Sequence, residues 1–196
     1  MLYPHLNGKR VILASQSPRR LELVKGLELE TVTWLKDVDE SFPEEIIGPA
    51  IAEYVTRLKA EAYWDELGPN DVLITGDTVV LLGDEVLQKP EDRDEAIGML
   101  EQLSGRTHTV ASGIAVTTLK TGIQSTVDTC EVTFRPLERA WIEHYIDTYQ
   151  PYDKAGGYGV QDMIGFAGVT GMQGSYFTVM GLPTHKLFEL INSLKS

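Results

Sequence analysis

The stretch Val11-Ile12-Leu13-Ala14-Ser15-Gln16-Ser17-Pro18-Arg19-Arg20 decides how the fold begins. Its first four residues are apolar and predict a short buried strand, and the polar residues directly after them predict a tight turn. Ser17 is a suitable N-cap residue and Pro18 suits the first position of a helix, which is predicted to end near Gly26. A strand, a turn and a helix start in this order aim backbone N–H groups at whatever lies above the strand.

Strand and helix patterns alternate over the rest of the chain. Apolar residues at helical spacing predict helices over residues 49–67, 92–103 and 137–148 and from Pro183 onward. Apolar runs between turn signals predict strands at residues 72–75, 78–82, 107–118, 124–134 and 176–180. The glycine-rich residues 153–175 are predicted to be a loop, and so long a loop in a small domain usually carries function. This alternation, with one long antiparallel pair, predicts a mixed α/β fold.

The composition excludes several classes of protein. The chain has 196 residues, 42% of them hydrophobic, which fits one domain over residues 1–196 or two lobes that share one core. Lys and Arg total 17 against 29 for Asp and Glu, so the net charge is −12 and the surface should repel nucleic acid backbones. The single cysteine, Cys130, suits a reducing compartment, and no apolar run approaches the roughly 20 residues that span a bilayer. We expect a cytoplasmic protein without nucleic acid or membrane partners.

The segment from Ser15 to Arg20 is the first candidate for chemistry. The chain contains none of the common phosphate-loop, dinucleotide, zinc-protease or paired-cysteine motifs, so other features must carry any activity. Two hydroxyl groups, a helix N-terminus and two guanidinium groups within six residues offer many donors for a phosphate chain. The alternative is an ordinary capped helix whose arginines lie in water. The composition leaves these two interpretations evenly balanced.

Asp77 is the second candidate because it interrupts a run of apolar strand residues. A carboxylate in such a position is costly to bury unless it is paired or binds a cation. Asp77 is therefore a candidate metal ligand or general base, and the alternative is a structural aspartate bonded to backbone amides. Glu40, in an acidic loop with Asp37 and Asp39, is a candidate second metal ligand. A solvated charge is the simpler interpretation of these three side chains taken alone.

Two lysines complete the set of candidates. Lys89 precedes Pro90, which restricts the backbone and could hold the ammonium group beside Asp77, although a lysine before a proline is usually in a surface loop. Lys59 lies off the apolar stripe of its predicted helix and is ordinary when taken alone. The histidines show no metal-binding spacing, and each of them, His108 included, is predicted to be a surface residue of a strand or helix.

A series of short motifs spans nearly the whole chain in one order: Leu13-Ala14-Ser15-Gln16-Ser17-Pro18-Arg19-Arg20, Asp39-Glu40-Ser41, Leu58-Lys59-Ala60, Gly76-Asp77-Thr78-Val79-Val80, Gln88-Lys89-Pro90, Leu103-Ser104-Gly105-Arg106-Thr107-His108, Asp153-Lys154-Ala155-Gly156-Gly157-Tyr158-Gly159-Val160-Gln161, Gly174-Ser175-Tyr176 and Gly181-Leu182-Pro183. In this order they resemble the motifs of the Maf-like nucleoside triphosphate pyrophosphatases. The resemblance implies an ITPase-like α/β fold, with a mixed twisted sheet flanked by helices and two lobes around a central nucleotide cleft.

The block that ends at Gln161 is similar to that of the branch that hydrolyses dTTP and UTP. The resemblance therefore implies hydrolysis of these nucleotides, or of modified pyrimidine triphosphates, to the monophosphate and pyrophosphate by metal-assisted attack of water. It also implies a homodimer. The implied site residues are Asp77 as proton acceptor, Arg19, Thr78 and Gln161 for specificity, Ser15, Lys59 and Lys89 for substrate binding, and Asp77 with Glu40 for Mg²⁺ or Mn²⁺.

A second function is compatible with the same motifs. A regulator of septum formation could sense nucleoside triphosphates without turning them over. Such a sensor needs no carboxylate beside the cations that bind phosphate. The predicted pairing of Asp77 with Lys89 therefore favours an enzyme.

Overall fold

The computed structural model of the protein describes residues 2–195 and divides the chain into two compact units. Unit 1 comprises Met1–Asp77, Ser112–Asp128 and Gly181–Ser196, and unit 2 comprises Thr78–Ala111 and Thr129–Met180. The chain passes from one unit to the other within three of its strands and once after residue 180. Asp77 is thus the last residue of the first segment of unit 1.

The strands pair in a mixed sheet in the order β2-β1-β3-β5-β6-β7, with β4 paired to β3 off this path. Their bounds are Arg10–Leu13 for β1, Val32–Thr33 for β2, Asp71–Leu82 for β3, Glu85–Leu87 for β4, Thr107–Thr118 for β5, Gly122–Phe134 for β6 and Val169–Gln173 for β7. β1 pairs in parallel with β2 and β3, whereas β4 is antiparallel to β3 and β7 is antiparallel to β6. The predicted mixed α/β class is confirmed.

The α-helices are α1 Pro18–Gly26, α2 Ala50–Glu61, α3 Arg93–Leu103, α4 Arg139–Tyr149, α5 Met163–Gly168, α6 Tyr176–Val179 and α7 Thr184–Ser193. Short 3-10 helices lie at Pro4–Leu6, Trp64–Glu66 and Ala155–Gly157. Within residues 2–195, none of these helices has the length and apolar composition that a membrane crossing requires.

The opening strand, turn and helix form in unit 1 as predicted. Val11, Ile12 and Leu13 of β1 are buried, and Ala14, which was predicted to end the strand, lies one residue after it. The Ser17 hydroxyl accepts a hydrogen bond from the N–H of Arg20, so α1 begins with a side-chain cap. The predicted helix boundary near Gly26 is also confirmed.

Helix α2 packs very closely on the sheet of unit 1. A Cβ atom built on Gly113 of β5 would lie 2.3 Å from the carbonyl oxygen of Ala52 and 2.5 Å from Thr56 Oγ1. Only glycine therefore allows the helix backbone to approach the strand to this distance. The Thr75 hydroxyl of β3 adds a buried hydrogen bond of 2.9 Å to the Thr56 carbonyl oxygen. Both contacts fix the height and rotation of α2 above the strand that leads to Asp77.

The core of unit 2 contains a residue that was predicted to lie on the surface. His108 of β5 is buried, and its Nε2 lies 2.7 Å from the hydroxyl of Tyr158. The ring also packs against Phe134 and Tyr158. The surface prediction for His108 is wrong because the side chain falls on the inner face of a strand whose neighbours supply one polar partner.

Two predictions for the glycine-rich region are also wrong. Residues 153–175 were expected to be a loop but contain a 3-10 helix, α5 and β7, and residues 176–180 were expected to form a strand but contain α6. Gly174, with a φ of +132°, turns the chain at the end of β7. Tyr176 and Phe177 after it are exposed, and Thr178 is the buried residue of α6. The side chains therefore lack the alternating burial of a strand.

Candidate functional site

The parallel pairing of β1 with β3 brings two of the predicted motifs to the same end of the sheet in unit 1. Leu13 is in register with Ile74, and the N–H of Ala14 donates to the carbonyl oxygen of Ile74 at 2.9 Å. The chain then leaves β1 through Ser15, while β3 continues to Asp77. The carboxyl ends of neighbouring parallel strands are where ligands bind in open α/β sheets. The register thus places the Ser15 turn and Asp77 where a site is expected.

Lys59 links the two acidic residues that were predicted to hold a metal. Its Nζ lies 2.9 Å from Asp77 Oδ1 and 2.9 Å from Glu40 Oε1. The side chains of Lys59 and Asp77 are each 14% exposed, whereas that of Glu40 is 46% exposed. Partial burial weakens solvent screening, so the Lys59–Asp77 pair is held more firmly than a surface ion pair.

The local structure explains why Lys59 meets Asp77. Successive side chains of a strand alternate between faces, so Thr75 and Asp77 lie on the same face of β3. Thr75 bonds to the carbonyl oxygen of Thr56, and Lys59 follows Thr56 by one helical turn of α2. Lys59 borders the buried stripe of its helix rather than lying away from the protein. Lys59, which is ordinary in the sequence when taken alone, thus contacts both Asp77 and Glu40 in the structure, and its role in substrate binding stays a prediction.

Arg20 is the basic residue that sequence reasoning did not select. Its Nε donates to the carbonyl oxygen of Gly181 at 2.8 Å, and its Nη1 donates to Ser15 Oγ at 3.3 Å. A Cβ atom built on Gly76 would lie 3.7 Å from Arg20 Nε, so the guanidinium group lies close beside the backbone that precedes Asp77. The double arginine in the motif was a signal for this residue, but nothing in the sequence separates Arg20 from Arg19.

The electrostatics of Arg20 reflect both burial and its neighbours. Burial lowers the pKa of the guanidinium group below its ordinary value, and the positive charge of Arg19 acts in the same direction. The negative charges of Asp77 and Glu40 act in the opposite direction. An arginine side chain nevertheless remains protonated in proteins at neutral pH. Arg20 thus contributes a permanent positive charge next to Asp77.

The acidic loop that carries Glu40 is locally organised. The Asp39 carboxylate accepts a hydrogen bond of 3.0 Å from the N–H of Ser41, which is the pattern of an Asx turn. This hydrogen bond lowers the pKa of Asp39. Glu40 is the middle residue of this turn, and its side chain contacts Lys59. The loop therefore presents Glu40 to α2 through a local backbone constraint.

Unit 2 contains the other three predicted site residues. Thr78 is half-buried in β3, Lys89 is exposed after β4, and Gln161 is half-buried just before α5. The predicted pairing of Lys89 with Asp77 stays a prediction, as do the specificity roles of Thr78 and Gln161.

The donor set of unit 1 suits an anionic ligand with a small cation. Ser15, Arg20 and Lys59 supply a hydroxyl group and two positive charges, and the N-terminal end of the α1 dipole also favours an anion. Across residues 2–195, no group of three or more His, Cys, Asp or Glu side chains is arranged to hold a metal ion. The two carboxylates that converge on Lys59 nevertheless fit Mg²⁺, which is commonly held by one or two carboxylates together with substrate phosphates and water.

Comparison with known proteins decides the family. The model of the Maf-like protein family matches residues 10–194. The chain belongs to this family. A dTTP/UTP pyrophosphatase of Bacteroides thetaiotaomicron is 45% identical to this Maf-like protein over 97% of this chain and 98% of its own length. Another, from Flavobacterium psychrophilum, is 42% identical over 96% of each chain, and a third, from Porphyromonas gingivalis, is 39% identical over 94% of each chain.

Family membership confirms the resemblance that the ordered motifs indicated. A Ham1 protein structure from Staphylococcus aureus was also found, with 16% identity, a TM-score of 0.48 and coverage of 64% of this chain and 72% of its own. Unit 1 of this Maf-like protein brings together Ser15, Arg20, Lys59, Glu40 and Asp77, in contacts that no single motif could indicate.

Proposed function

We propose that this Maf-like protein hydrolyses dTTP and UTP to the nucleoside monophosphate and pyrophosphate. The observation that carries the proposal is the partly buried Asp77 carboxylate held 2.9 Å from Lys59 Nζ, beside Arg20 and the start of α1. The names of relatives that are 39% to 45% identical over nearly the full chain support the substrate class.

The chemical obstacle is the negative charge that gathers around the α-phosphorus as water attacks it. Two unit charges about 4 Å apart interact by about 4 kcal/mol at an effective dielectric constant of about 20. Arg19, Arg20 and Lys59 can therefore lower the barrier considerably by neutralising the phosphates. The Ser15 hydroxyl would orient the phosphate chain, because a hydroxyl donor fixes an anion without adding charge.

Asp77 is proposed as the proton acceptor. The oxygen of water forms a bond to the α-phosphorus, the bond between that phosphorus and the bridging α–β oxygen breaks, and pyrophosphate leaves with the electron pair. Asp77 accepts the proton that the attacking water loses. Lys59 holds Asp77 Oδ1 by a hydrogen bond and so orients the carboxylate for this transfer. The reaction needs no covalent intermediate on the protein.

Glu40 and Asp77 are the residues proposed to hold Mg²⁺ or Mn²⁺. Such an ion, when bound, would lower the pKa of a coordinated water and offset phosphate charge. Lys59 contacts both carboxylates, so its ammonium group would have to share or exchange these contacts when a cation enters. The net charge of −12 is compatible with a nucleotide substrate, because a triphosphate that carries a divalent cation has part of its charge offset.

The roles of the residues in unit 2 are proposed from the family motifs. Gln161 can offer one donor and one acceptor to a pyrimidine edge through its single amide group. Thr78 is proposed as a second specificity residue and Lys89 as a phosphate ligand. The homodimer and the cytoplasmic location stay predictions from the sequence.

A panel of nucleoside triphosphates tests the proposal directly. The protein is incubated with dTTP, UTP, CTP, the purine triphosphates and methylated or halogenated pyrimidine triphosphates, each with and without Mg²⁺ or Mn²⁺, and pyrophosphate release is measured. We expect dTTP and UTP to be the best of the unmodified substrates and activity to require the cation. Binding of triphosphates without any release of pyrophosphate would contradict the proposal and support the regulator instead.

A further inference from the structure

Tyr145 of α4 is buried in unit 2, and its hydroxyl group makes two hydrogen bonds to the glycine-rich region. It donates to Asp162 Oδ2 at 2.7 Å and accepts from the N–H of Gly159 at 3.0 Å. The ring is fully buried, as are Ile142 and Ile146 of the same helix, and it stacks on the ring of Tyr149. Tyr145 thus ties a rigid helix to two points of the segment that carries Gln161.

The Asp162 side chain is used in an unusual way. Asp162 occupies the N-cap position of α5, where an aspartate normally accepts a hydrogen bond from a backbone N–H of the first helical turn. Its side chain makes no such cap. The carboxylate instead accepts from Tyr145, and Lys154 Nζ lies 3.9 Å away. Helix α5 therefore has no side-chain cap, because the Asp162 carboxylate binds Tyr145 instead and fixes the turn at residues 159–162.

The other end of this turn is equally constrained. A Cβ atom built on Gly159 would lie 2.4 Å from Asp162 Oδ2, so a larger residue at this position would displace the Asp162 carboxylate. The N–H of Asp162 donates to the carbonyl oxygen of Gly159 at 3.0 Å, which closes the turn. Gln161 lies between these two anchored residues, so its backbone has little freedom to move.

The Tyr145 hydroxyl is a permanent donor in this arrangement. Burial, the hydrogen bond to Asp162 and the charge of that carboxylate all raise the pKa of Tyr145 above its ordinary value. The group therefore stays protonated throughout the pH range in which the protein would work.

We infer that Tyr145 is a positioning residue for base recognition, acting through the 159–162 turn that carries Gln161. The inference rests on the proposed function, with Gln161 as the residue that contacts the base. Tyr145 itself acts from the core and takes no part in the hydrolysis. Its loss should weaken selection among bases more than it slows the chemical step.

The test compares Tyr145→Phe with Tyr3→Phe. Tyr145→Phe removes the two hydrogen bonds and keeps the ring, whereas Tyr3→Phe removes one hydrogen bond, of 3.0 Å to the Leu27 carbonyl oxygen, from another buried tyrosine in unit 1. Steady-state kinetics with dTTP, UTP, CTP and GTP give kcat and KM for each protein. We expect Tyr145→Phe to raise KM for dTTP and UTP about tenfold with a smaller change in kcat, and to narrow the preference over CTP and GTP. Tyr3→Phe should change neither the KM values nor the preference for dTTP and UTP.

A second pair of variants separates positioning from general destabilisation. Asp162→Asn keeps an oxygen that can accept from Tyr145, and Asp162→Ala does not. We expect Asp162→Asn to retain most of the base preference and Asp162→Ala to narrow it as much as Tyr145→Phe does. Thermal unfolding should show that all variants are folded at the assay temperature.

The possible results decide between the inference and its failure. A fall in kcat alone in Tyr145→Phe, or a base preference equal to that of the wild type, would overturn the inference. The proposed function is judged separately, by whether the wild-type protein releases pyrophosphate from dTTP and UTP at all.

Discussion

Polar side chains are stabilised in different ways in the two units. In unit 1, Lys59, Asp77 and Glu40 are ionic groups that contact one another and remain partly open to water. In unit 2, His108 and Tyr158 form a buried pair at 2.7 Å. Burial lowers the pKa of His108 to about 4 and raises that of Tyr158, so both are neutral at pH 7.

The difference follows from the cost of removing charge from water. A buried ionisable group either has a partner of opposite charge or becomes neutral. His108 in unit 2 is an example of a buried group that is neutral. Lys59, Asp77 and Glu40 of unit 1 instead have oppositely charged partners and some contact with solvent. Charged groups that keep some contact with water can exchange a partner for a phosphate or a cation, whereas a buried neutral pair stabilises structure. The comparison explains why the proton acceptor is proposed for unit 1.

The largest expected effect comes from neutralising the carboxylate of unit 1. Asp77→Asn keeps the shape of the side chain but removes the proton acceptor, so kcat for dTTP should fall by about 10³-fold. Nucleotide binding, measured by calorimetry, should change little. The control Asp65→Asn alters an exposed aspartate and should keep full activity. Full activity of Asp77→Asn, measured as pyrophosphate release, would remove Asp77 from the proposed catalytic role.

Removal of the ammonium group that links the two carboxylates should have the next largest effect. Lys59→Ala leaves Asp77 and Glu40 without their shared partner and removes a charge that would neutralise phosphate, so kcat/KM should fall by about 10²-fold. Lys59→Arg should recover part of this loss because it restores the charge. Lys25→Ala, at an exposed position in the last turn of α1, is the control and should behave as wild type.

The close approach of α2 to the sheet can be tested by adding one methyl group. Gly113→Ala would place a Cβ atom 2.3 Å from the Ala52 carbonyl oxygen, so the helix must move. We expect the free energy of unfolding to fall by about 2 kcal/mol, with a loss of activity as Lys59 shifts from Asp77. Gly98→Ala in α3 is the matched control, because nothing lies within 4 Å of the added atom. Equal stability of both variants in urea unfolding would show that the close approach is not required.

The smallest expected effect is on the pH dependence of stability, and it probes the neutral pair of unit 2. His108 has a pKa of about 4 when folded and about 6.5 when unfolded, so between these values the unfolded chain binds more protons and stability falls as the pH falls. Between about pH 7 and about pH 5.5 the wild type should lose about 1 kcal/mol more than His108→Gln, which does not titrate. Parallel urea titrations at both pH values measure this difference. Identical losses in the two proteins would mean that His108 is not held neutral.

Much of the fold was predictable from local patterns. The strand before Ser15, the cap at Ser17 and the end of α1 near Gly26 depend on residues that are neighbours in sequence. The errors fall where burial is decided by distant residues. His108 was predicted on the surface because its partner Tyr158 is 50 residues away in the sequence. Residues 176–180 were predicted as a strand because the sequence does not indicate that Tyr176 and Phe177 are exposed.

For the candidate site, too, the residues could be predicted from local motifs, whereas their contacts could not. The ordered motifs were sufficient to predict the family and to name Ser15, Glu40, Lys59 and Asp77 as candidates, since these residues recur in a recognisable local context. The contacts of Lys59 and the burial of Arg20 depend on how α2 and the Ser15 turn pack on β3. The sequence pattern of a single strand or helix does not indicate how these elements pack on one another.

The sequence by itself determined the mixed α/β class, the opening strand and helix, the family and the identity of most candidate residues, because each is set by neighbouring side chains or by short motifs. Only the tertiary structure decided which of these residues share a contact. It joined Lys59 to both Asp77 and Glu40, placed Arg20 beside Gly76, and turned Asp162 from capping α5 to binding Tyr145. The physical reason is that hydrogen bonds and ion pairs depend on distances of about 3 Å between atoms far apart in the chain, which only packing establishes.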